Sequence, residues 1–379
     1  MDFTIDIAGA VQKLVEKQQL NHVHYAVQLI RACLDFEPSN IQIQTDQGSF
    51  SIQHDGANLD PDFWQALVEV LTLGNEPPAF LALKRIEHNY GLTLLFPFRH
   101  SDQVLLHSGT RTIERSGTQT RTGSASHLAG FRLQMARPKA QEGDERAEIS
   151  FFCRRPPCNL HLNGRPLTPK EALSQVPALL RGHIQNEHGE AFFGLDVQAS
   201  LSEIHYLKHG ILFGTRTFLN SHSLPLILEW DSKLQDKGTQ FEKSIAAGDE
   251  ACMQAQLAIQ EALVSHFLEL DPALQDQLRR KILALQTQPF PQPLAAIRLF
   301  RTNISSIHKS LADLRKDQKR FGGWLPFHFM KPKPSREALA ILGPQELAFL
   351  RAQDLKPVRW QPVMDKKGMD MTNWLTDSR

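Results

Sequence analysis

The chain has 379 residues, 41% of them apolar and 22% charged, which is the composition of an ordinary globular protein of two or three domains. A formal net charge of +1 excludes a molecule-wide field for DNA or membranes, and no run nears the roughly 18 apolar residues of a membrane span. Four scattered cysteines, Cys33, Cys153, Cys158 and Cys252, with no secretory-type leader ahead of Asp2 and Asp6, point to free thiols in a reducing cytoplasm. Charge is uneven, since residues 301–379 hold 15 Lys/Arg against 8 Asp/Glu. That tail reads as a solvated basic surface first, and otherwise as a contact for an acidic partner or nucleic acid.

Residues 1–20 read as a helix with Val11, Leu14 and Val15 on its apolar face. Tyr25, Leu29, Cys33 and Phe36 then recur at helical spacing, and Pro38-Ser39-Asn40 ends the helix. Ile41, Ile43, Phe50 and Ile52 alternate with polar residues on either side of Asp46-Gln47-Gly48, which predicts a hairpin. Asp55-Gly56 is a turn, and Asp60-Pro61 caps a helix over 61–73. The prolines of 74–78 predict a stiff, short loop. Gly91 to Phe98 reads as a buried helix or helix–strand junction. Gln103 to His107 and Thr110 to Arg115 read as two strands around Ser108-Gly109, 118–126 as a polar loop or edge strand, and 130–136 as a strand. Residues 138–147 are polar and carry Pro and Gly, so the first boundary is placed there.

A second α+β domain is expected over 148–288. It opens on a strand at Glu148–Phe152 and a hairpin at Asn163-Gly164. A helix over 169–180, strands to Trp230 and helices from Gln240 broken at Asp271-Pro272 follow. Over 294–320, Ile297, Phe300, Ile304, Ile307, Leu311 and Leu314 repeat at 3-4-3-4-3 spacing. That is a heptad seam, packed on its own domain or pairing two subunits. Residues 321–379 read as a basic, proline-containing, irregular tail with one helix at 335–342 or 344–352.

Four stretches, taken in order, resemble one superfamily. They are FTIDIAGAVQKLVEKQQL (3–20), YAVQLIRACLDF (25–36), IQHDGANL (52–59) and HNYGLTLLFPFRHSDQVLLHS (88–108). Together they are similar to the GHKL ATP-binding fold of gyrase, the ninety-kilodalton heat-shock chaperones, histidine kinases and MutL, and most of all to bacterial HtpG-like chaperones. LHLNGRPL (160–167) resembles a hairpin that follows the ATP-binding domain in MutL and chaperone relatives. The resemblance implies a GHKL-type (Bergerat) α/β sandwich over 1–137, a transducer-like middle domain and a helical C-terminal segment. It places the nucleotide, if the site is retained, at Gln28, Asp35, His54, Asp55, Gly56, Gly91 and Leu92.

The departures from the family pattern are specific. Gln28 stands where the family has its water-activating Glu, Ala32 at the metal-holding Asn, His54 at the adenine-binding Asp, and Asn89 at the first phosphate-loop Gly. A Gln is no general base, and an Ala offers Mg²⁺ no oxygen. Asp55 either faces the adenine in place of His54 or only holds the turn. The expectation is a non-hydrolysing, chaperone-like or scaffold protein with a protein partner or client, and with no catalytic residue and no metal. The alternative is a divergent ATP-binding switch or a slow chaperone ATPase. Cys153 and Cys158 lack a second ligand pair. His183, Glu187 and His188 carry one residue more than the inverted zinc motif allows. His22 and His24 read as capping or surface residues, and Glu37 as a surface carboxylate.

Overall fold

The computed structural model describes Gly9, Lys13 and residues 23–73, 76–87, 91–137, 145–168, 173–174, 176–218, 224–233, 239–285, 290–330, 338–364 and 370–375. The expected helix over 1–20 and most of the expected linker, 138–144, lie outside the described residues. The chain is mixed α+β. It divides into two compact units, one of Met1–Ser174, Tyr206–Gly214 and Asp231–Ser244, the other of Gln175–His205, Thr215–Trp230 and Ile245–Arg379.

The first unit is a sheet with helices on one face. Helix α1 (Tyr25–Leu34) buries Tyr25, Leu29 and Cys33. Glu37, at φ 50°, leaves the helical region just before Pro38. Strands β1 (Asn40–Thr45) and β2 (Ser49–His54) form the expected hairpin. The Asp46 carboxylate closes its turn by accepting from the Gly48 and Ser49 amides at 2.8 and 2.7 Å. Ile41, Ile43, Phe50 and Ile52 are buried while Gln42 and Gln44 are exposed, so one sheet face makes the core.

Asp60 caps α2 (Pro61–Thr72) through the Asp62 and Phe63 amides, as its sequence predicts. The next prolines do not stiffen a loop. Pro77 begins α3 (Pro77–Glu87), where a missing amide hydrogen costs nothing. Helix α4 (Gly91–His100) follows and packs on α1.

Residues 103–136 depart from the expected short strands. They form one long hairpin of β3 (Gln103–Ser116) and β4 (Gln119–Ala136). Ser108-Gly109 is a bulge inside β3, with Gly109 at φ 61°, and the turn falls at Gly117, φ 59°. A Gly in the left-handed region serves either purpose, so the glycine alone does not choose between them.

Two corrections concern the first boundary. Glu148–Phe152 is not a strand but part of helix α5 (Glu145–Phe152), which packs on α1. Strand β5 (Asn159–Leu162) then pairs in parallel with β1, and β6 (Arg165–Pro166) closes on it through the Asn163-Gly164 turn. The six-stranded order is β3-β4-β2-β1-β5-β6. Sheet hydrogen bonding thus carries the first unit past 138–147 and past 148. A polar, Pro-containing stretch in the sequence is therefore not by itself a domain boundary.

A second sheet has the order β10-β9-β11-β8-β7. Its strands are β7 (Arg181–Asn186), β8 (Gly189–Leu195), β9 (Ser202–Lys208), β10 (Ile211–Phe218) and β11 (Leu226–Ser232). Helix α6 (Thr239–His266) and helix α7 (Pro272–Ala284) follow, the latter capped by Asp271 as expected. Of the helix expected over 169–180, the described part ends in a single short turn at Ala178–Leu180.

The heptad helix over 294–320 is overturned. Ile297 ends the five-residue α8 (Gln292–Ala296) in extended geometry, ψ 134°. Phe300–Arg301 (β12) and His308–Lys309 (β13) form a small hairpin. A new helix, α9 (Leu311–Arg320), starts at Ser310 with a reciprocal capping box to Asp313. Between these elements the Thr302 hydroxyl has the Ile304 and Ile307 carbonyls as alternative acceptors, 2.8 Å away each, and accepts from the Ile304 amide at 3.2 Å. A Thr and a Ser that satisfy backbone groups locally stop helix propagation, whatever the apolar spacing around them. Ile297, Phe300, Leu311 and Leu314 are buried within their own unit, and Ile307 is exposed, so no continuous seam exists.

The expected irregular tail is also corrected. Strands β14 (Leu325–Phe329), β15 (Ala340–Leu342), β16 (Pro357–Met364) and β17 (Asp370–Leu375) make a sheet of order β15-β14-β16-β17. Helix α10 (Pro344–Ala352), one of the two helix positions expected, joins them. Among the described residues no helix is long and apolar enough to cross a membrane.

Candidate functional site

Of the residues singled out by sequence, His54, Asp55 and Gly56 lie where the C-terminal end of α1 meets the β2 turn, and each is held by the fold there. The Asp55 carboxylate accepts from the Ser39 amide (2.8 Å), the Asn40 amide (2.9 Å) and Asn40 Nδ2 (2.9 Å). The Asn40 side chain, then the two amides, hold Asp55 below the usual carboxylate range. Both carboxylate oxygens therefore staple the turn between α1 and β1. Of the two readings of Asp55, the turn-holding one matches its contacts.

His54 is 2% exposed. It stacks on Phe36 at 5.2 Å and meets Phe131 edge-on at 4.4 Å. Its Nδ1 accepts from the Gly56 amide at 3.0 Å, which fixes the proton of the neutral ring on Nε2. That Nε2 is buried and, among the described residues, has no hydrogen-bond partner. Burial pushes the His54 pKa down to about 4, with Asp55 pulling weakly the other way. Where the resemblance places an adenine-facing carboxylate, this chain has an aromatic core side chain.

Gly56 is required by close approach. A Cβ there would sit 2.2 Å from the Phe36 carbonyl oxygen. Gly130 (φ 70°) holds the other side, where a Cβ would come within 2.3 Å of the His54 carbonyl. The two glycines bring β2, β4 and the end of α1 together around the His54 ring.

Higher on α1, Gln28 sits in a polar chain. The neutral His24 Nδ1–H donates to Glu148 Oε1 at 3.0 Å, Gln28 Nε2 donates to His24 Nε2 at 3.0 Å, and Arg31 reaches Gln28 Oε1 at 3.5 Å. Burial holds His24 below its ordinary range, although Glu148 opposes that shift. His24 stands at the N-cap position of α1 without a side-chain cap hydrogen bond, and at 3% exposure it is not a surface residue. One turn away, the Tyr25 hydroxyl donates to Glu145 Oε1 at 3.1 Å, and Glu145 is also paired with Arg137. Burial, then Glu145, raises the Tyr25 pKa.

Glu145 and Glu148 were missed by sequence reasoning because 145–152 reads as a linker end and a strand. Their i, i+3 spacing with Ile149 between the chain's polar residues was the available signal for a helix facing α1.

Ala32 is buried and apolar. Asp35, at the C-terminal end of α1, lies 3.4 Å from His209 in a largely exposed pair. Gly91 opens α4, with Leu92 beside it in the first turn, and Asn89 lies outside the described residues. Among the described residues no three His, Cys, Asp or Glu side chains are grouped to hold a metal ion. His183 lies on β7, opposite β8, with Glu187 and His188 in the turn between the two strands, and it pairs with Glu190 at 3.3 Å. The near-zinc spacing is thus on a hairpin and not on a helix. Cys153 and Cys33 are buried, and burial raises both thiols. Cys158 is also pushed up, to about 11. High pKa values of this kind leave little reactive thiolate.

These residues do not fit an Mg-nucleotide as the resemblance would have it. An amide stands for the base, a methyl for the metal ligand, and the turn carboxylate is spent on backbone amides. No family model matches the chain, and no curated protein matches it. Among solved structures, the ATPase region of Saccharomyces cerevisiae topoisomerase II overlaps 56% of this chain and 72% of that one, at 9% identity and a TM-score of 0.37. The same region bound to ICRF-187 (dexrazoxane) overlaps 62% and 85%, at 9% identity and a TM-score of 0.36. Overlap at that level carries no weight for the site.

Proposed function

We propose that the first unit is a degenerate GHKL-type domain, HtpG-like in its motif order, that no longer hydrolyses ATP and serves as a protein-interaction scaffold. The observation that carries this reading is the double commitment at the adenine corner. Asp55 holds three donors of the α1–β1 turn, and His54 fills the space between Phe36 and Phe131. Releasing either for a nucleotide costs fold stability that a working site would not require. Gln28 supports the same reading, because its amide is oriented by His24 on one side and Arg31 on the other. A reducing, cytoplasmic setting fits the four free cysteines, and the partner is a protein.

The test is a steady-state ATPase assay on the wild type and on Gln28→Glu/Ala32→Asn. The reading expects turnover at background for both, because the two substitutions leave His54 and Asp55 in place. Turnover above background in the wild type, abolished by no other change than Glu148→Gln, would overturn it. One observation favours that second reading, a slow or nucleotide-responsive ATPase. Glu148 stands 3.0 Å from His24, beside Gln28. A carboxylate–imidazole pair there could polarise water where the family uses a Glu.

A further inference from the structure

The second unit contains a cleft of about 360 Å³ that none of the candidate nucleotide-site residues lines. Its walls include Leu299, Phe300 and Ile341, and its charged lining is Arg279, Arg301 and Glu346. Volume and lining match a small-molecule site, an apolar body with a few convergent polar groups.

The charge arrangement at this cleft is not self-satisfied. Arg279, on α7, donates through Nε to the Leu299 carbonyl at 2.8 Å and through Nη1 to Asp276 at 3.1 Å. Its Nη2 is shielded from solvent and, among the described residues, has no hydrogen-bond partner. A buried guanidinium N–H left unmatched is unfavourable. Arg301 shares the same Asp276 oxygen at 3.2 Å, so one carboxylate serves two guanidiniums.

The hairpin sets a titratable ring beside these guanidiniums. In the β12–β13 hairpin Arg301 is directly opposite His308. Burial, and then Arg279, Arg301 and Arg298, hold His308 below its ordinary range. Burial and Arg301 likewise lower Arg279, against Asp276 and Glu346. Glu346 is itself partly spent, since its Oε2 accepts from the Gly343 amide at 3.1 Å. At the cleft, then, Arg279 and Arg301 share a single Asp276 oxygen, and Glu346 is the one carboxylate of the lining.

We infer that this cleft binds a small organic phosphate, with the phosphate group on Arg279 and Arg301 and the apolar body against Leu299, Phe300 and Ile341. A phosphate monoester carries about −1.5 to −2 charges near neutral pH and accepts from paired guanidiniums. It would supply a second acceptor for two guanidiniums that now share one Asp276 oxygen. This site is independent of the nucleotide question in the first unit.

The test uses the full chain and phenyl phosphate as the probe in a calorimetric titration, with inorganic phosphate and benzyl alcohol as comparison arms. One-to-one, saturable binding of phenyl phosphate is expected, tighter than either comparison compound. Arg301→Gln and Arg279→Lys should each weaken it about tenfold or more, the loss of one charge-assisted hydrogen bond. Arg301 is half-exposed, so its variant keeps the fold, which circular dichroism and Tm verify. Arg279→Lys keeps the charge but loses the planar donor fork. Absence of saturable heat at about 10 mM phenyl phosphate would overturn the inference. So would an affinity unchanged in either variant, or benzyl alcohol binding as tightly as the phosphate.

Discussion

Lowering the pH from 7 to below 4 should destabilise the first unit through His54. In the folded chain this ring is buried between Phe36 and Phe131, and its pKa lies near 4. In the unfolded chain it returns to about 6.5. Between those values the unfolded state binds the extra proton, so stability rises with pH across the window and falls as pH drops through it. At 2% exposure solvent screening is slight. A depression of about two and a half units is worth about 3 kcal/mol. The contribution is complete above pH 6.5 and is lost by pH 4. His54→Asn removes the titration and keeps an oxygen for the Gly56 amide, at a packing cost that does not change with pH. Urea unfolding followed by tryptophan fluorescence at pH 7, 5.5 and 4 gives both curves. The wild type should lose about 3 kcal/mol more than His54→Asn between pH 7 and 4. Parallel pH dependences, or an NMR titration of the ring with a midpoint at 6 or above, would refute the burial argument.

Gly56→Ala should cost about 3 kcal/mol or more and lower Tm sharply, because its Cβ would meet the Phe36 carbonyl at 2.2 Å; a wild-type Tm would mean the turn is not packed this way. Asp55→Ala should destabilise by about 1–2 kcal/mol, with the Ser39 and Asn40 amides losing protection from hydrogen exchange; unchanged exchange at those amides would contradict the staple. Ser310→Ala should cost about 1 kcal/mol as the lost cap of α9, whereas a continuous helix through 294–320 would be indifferent or gain from Ala. Leu314→Ala should cost about 2–5 kcal/mol, since Leu314 is buried in its own unit. A Leu314→Ala chain that dissociates a dimer while keeping its monomer stability would restore the intersubunit seam.

Much of the first unit was legible in the sequence because its signals are local. The α1 face, the Asp46 turn, the Asp60 cap and the Asn163-Gly164 turn each depend on a few neighbouring residues. What failed was decided at longer range or by competing local chemistry. The parallel pairing of β5 with β1 joins residues about 120 apart, and no periodicity announces it. The heptad spacing at 297–314 was real, but Thr302 and Ser310 bind backbone groups that a helix needs. Gly109 and Gly117 share one conformational signature, so bulge and turn were exchanged. At the candidate site, the substitutions Gln28, Ala32 and His54 could be read directly. The partners that commit His24, Asp55 and His54 could not, because Glu148, Asn40 and Phe131 are brought beside them only by the tertiary fold. The cleft at Arg279 and Arg301 had no sequence signal beyond the general basicity of the last 79 residues.

Calorimetric titration of the full chain with Mg-ATP, and separately with ADP, tests the central claim most directly. If Asp55 and His54 are committed to the fold as their contacts indicate, neither nucleotide gives saturable heat at the first unit, even at millimolar concentration. An Arg279→Lys chain serves to set aside any phosphate binding in the second unit. Saturable binding at micromolar nucleotide that survives Arg279→Lys and is lost in His54→Asn would contradict the account.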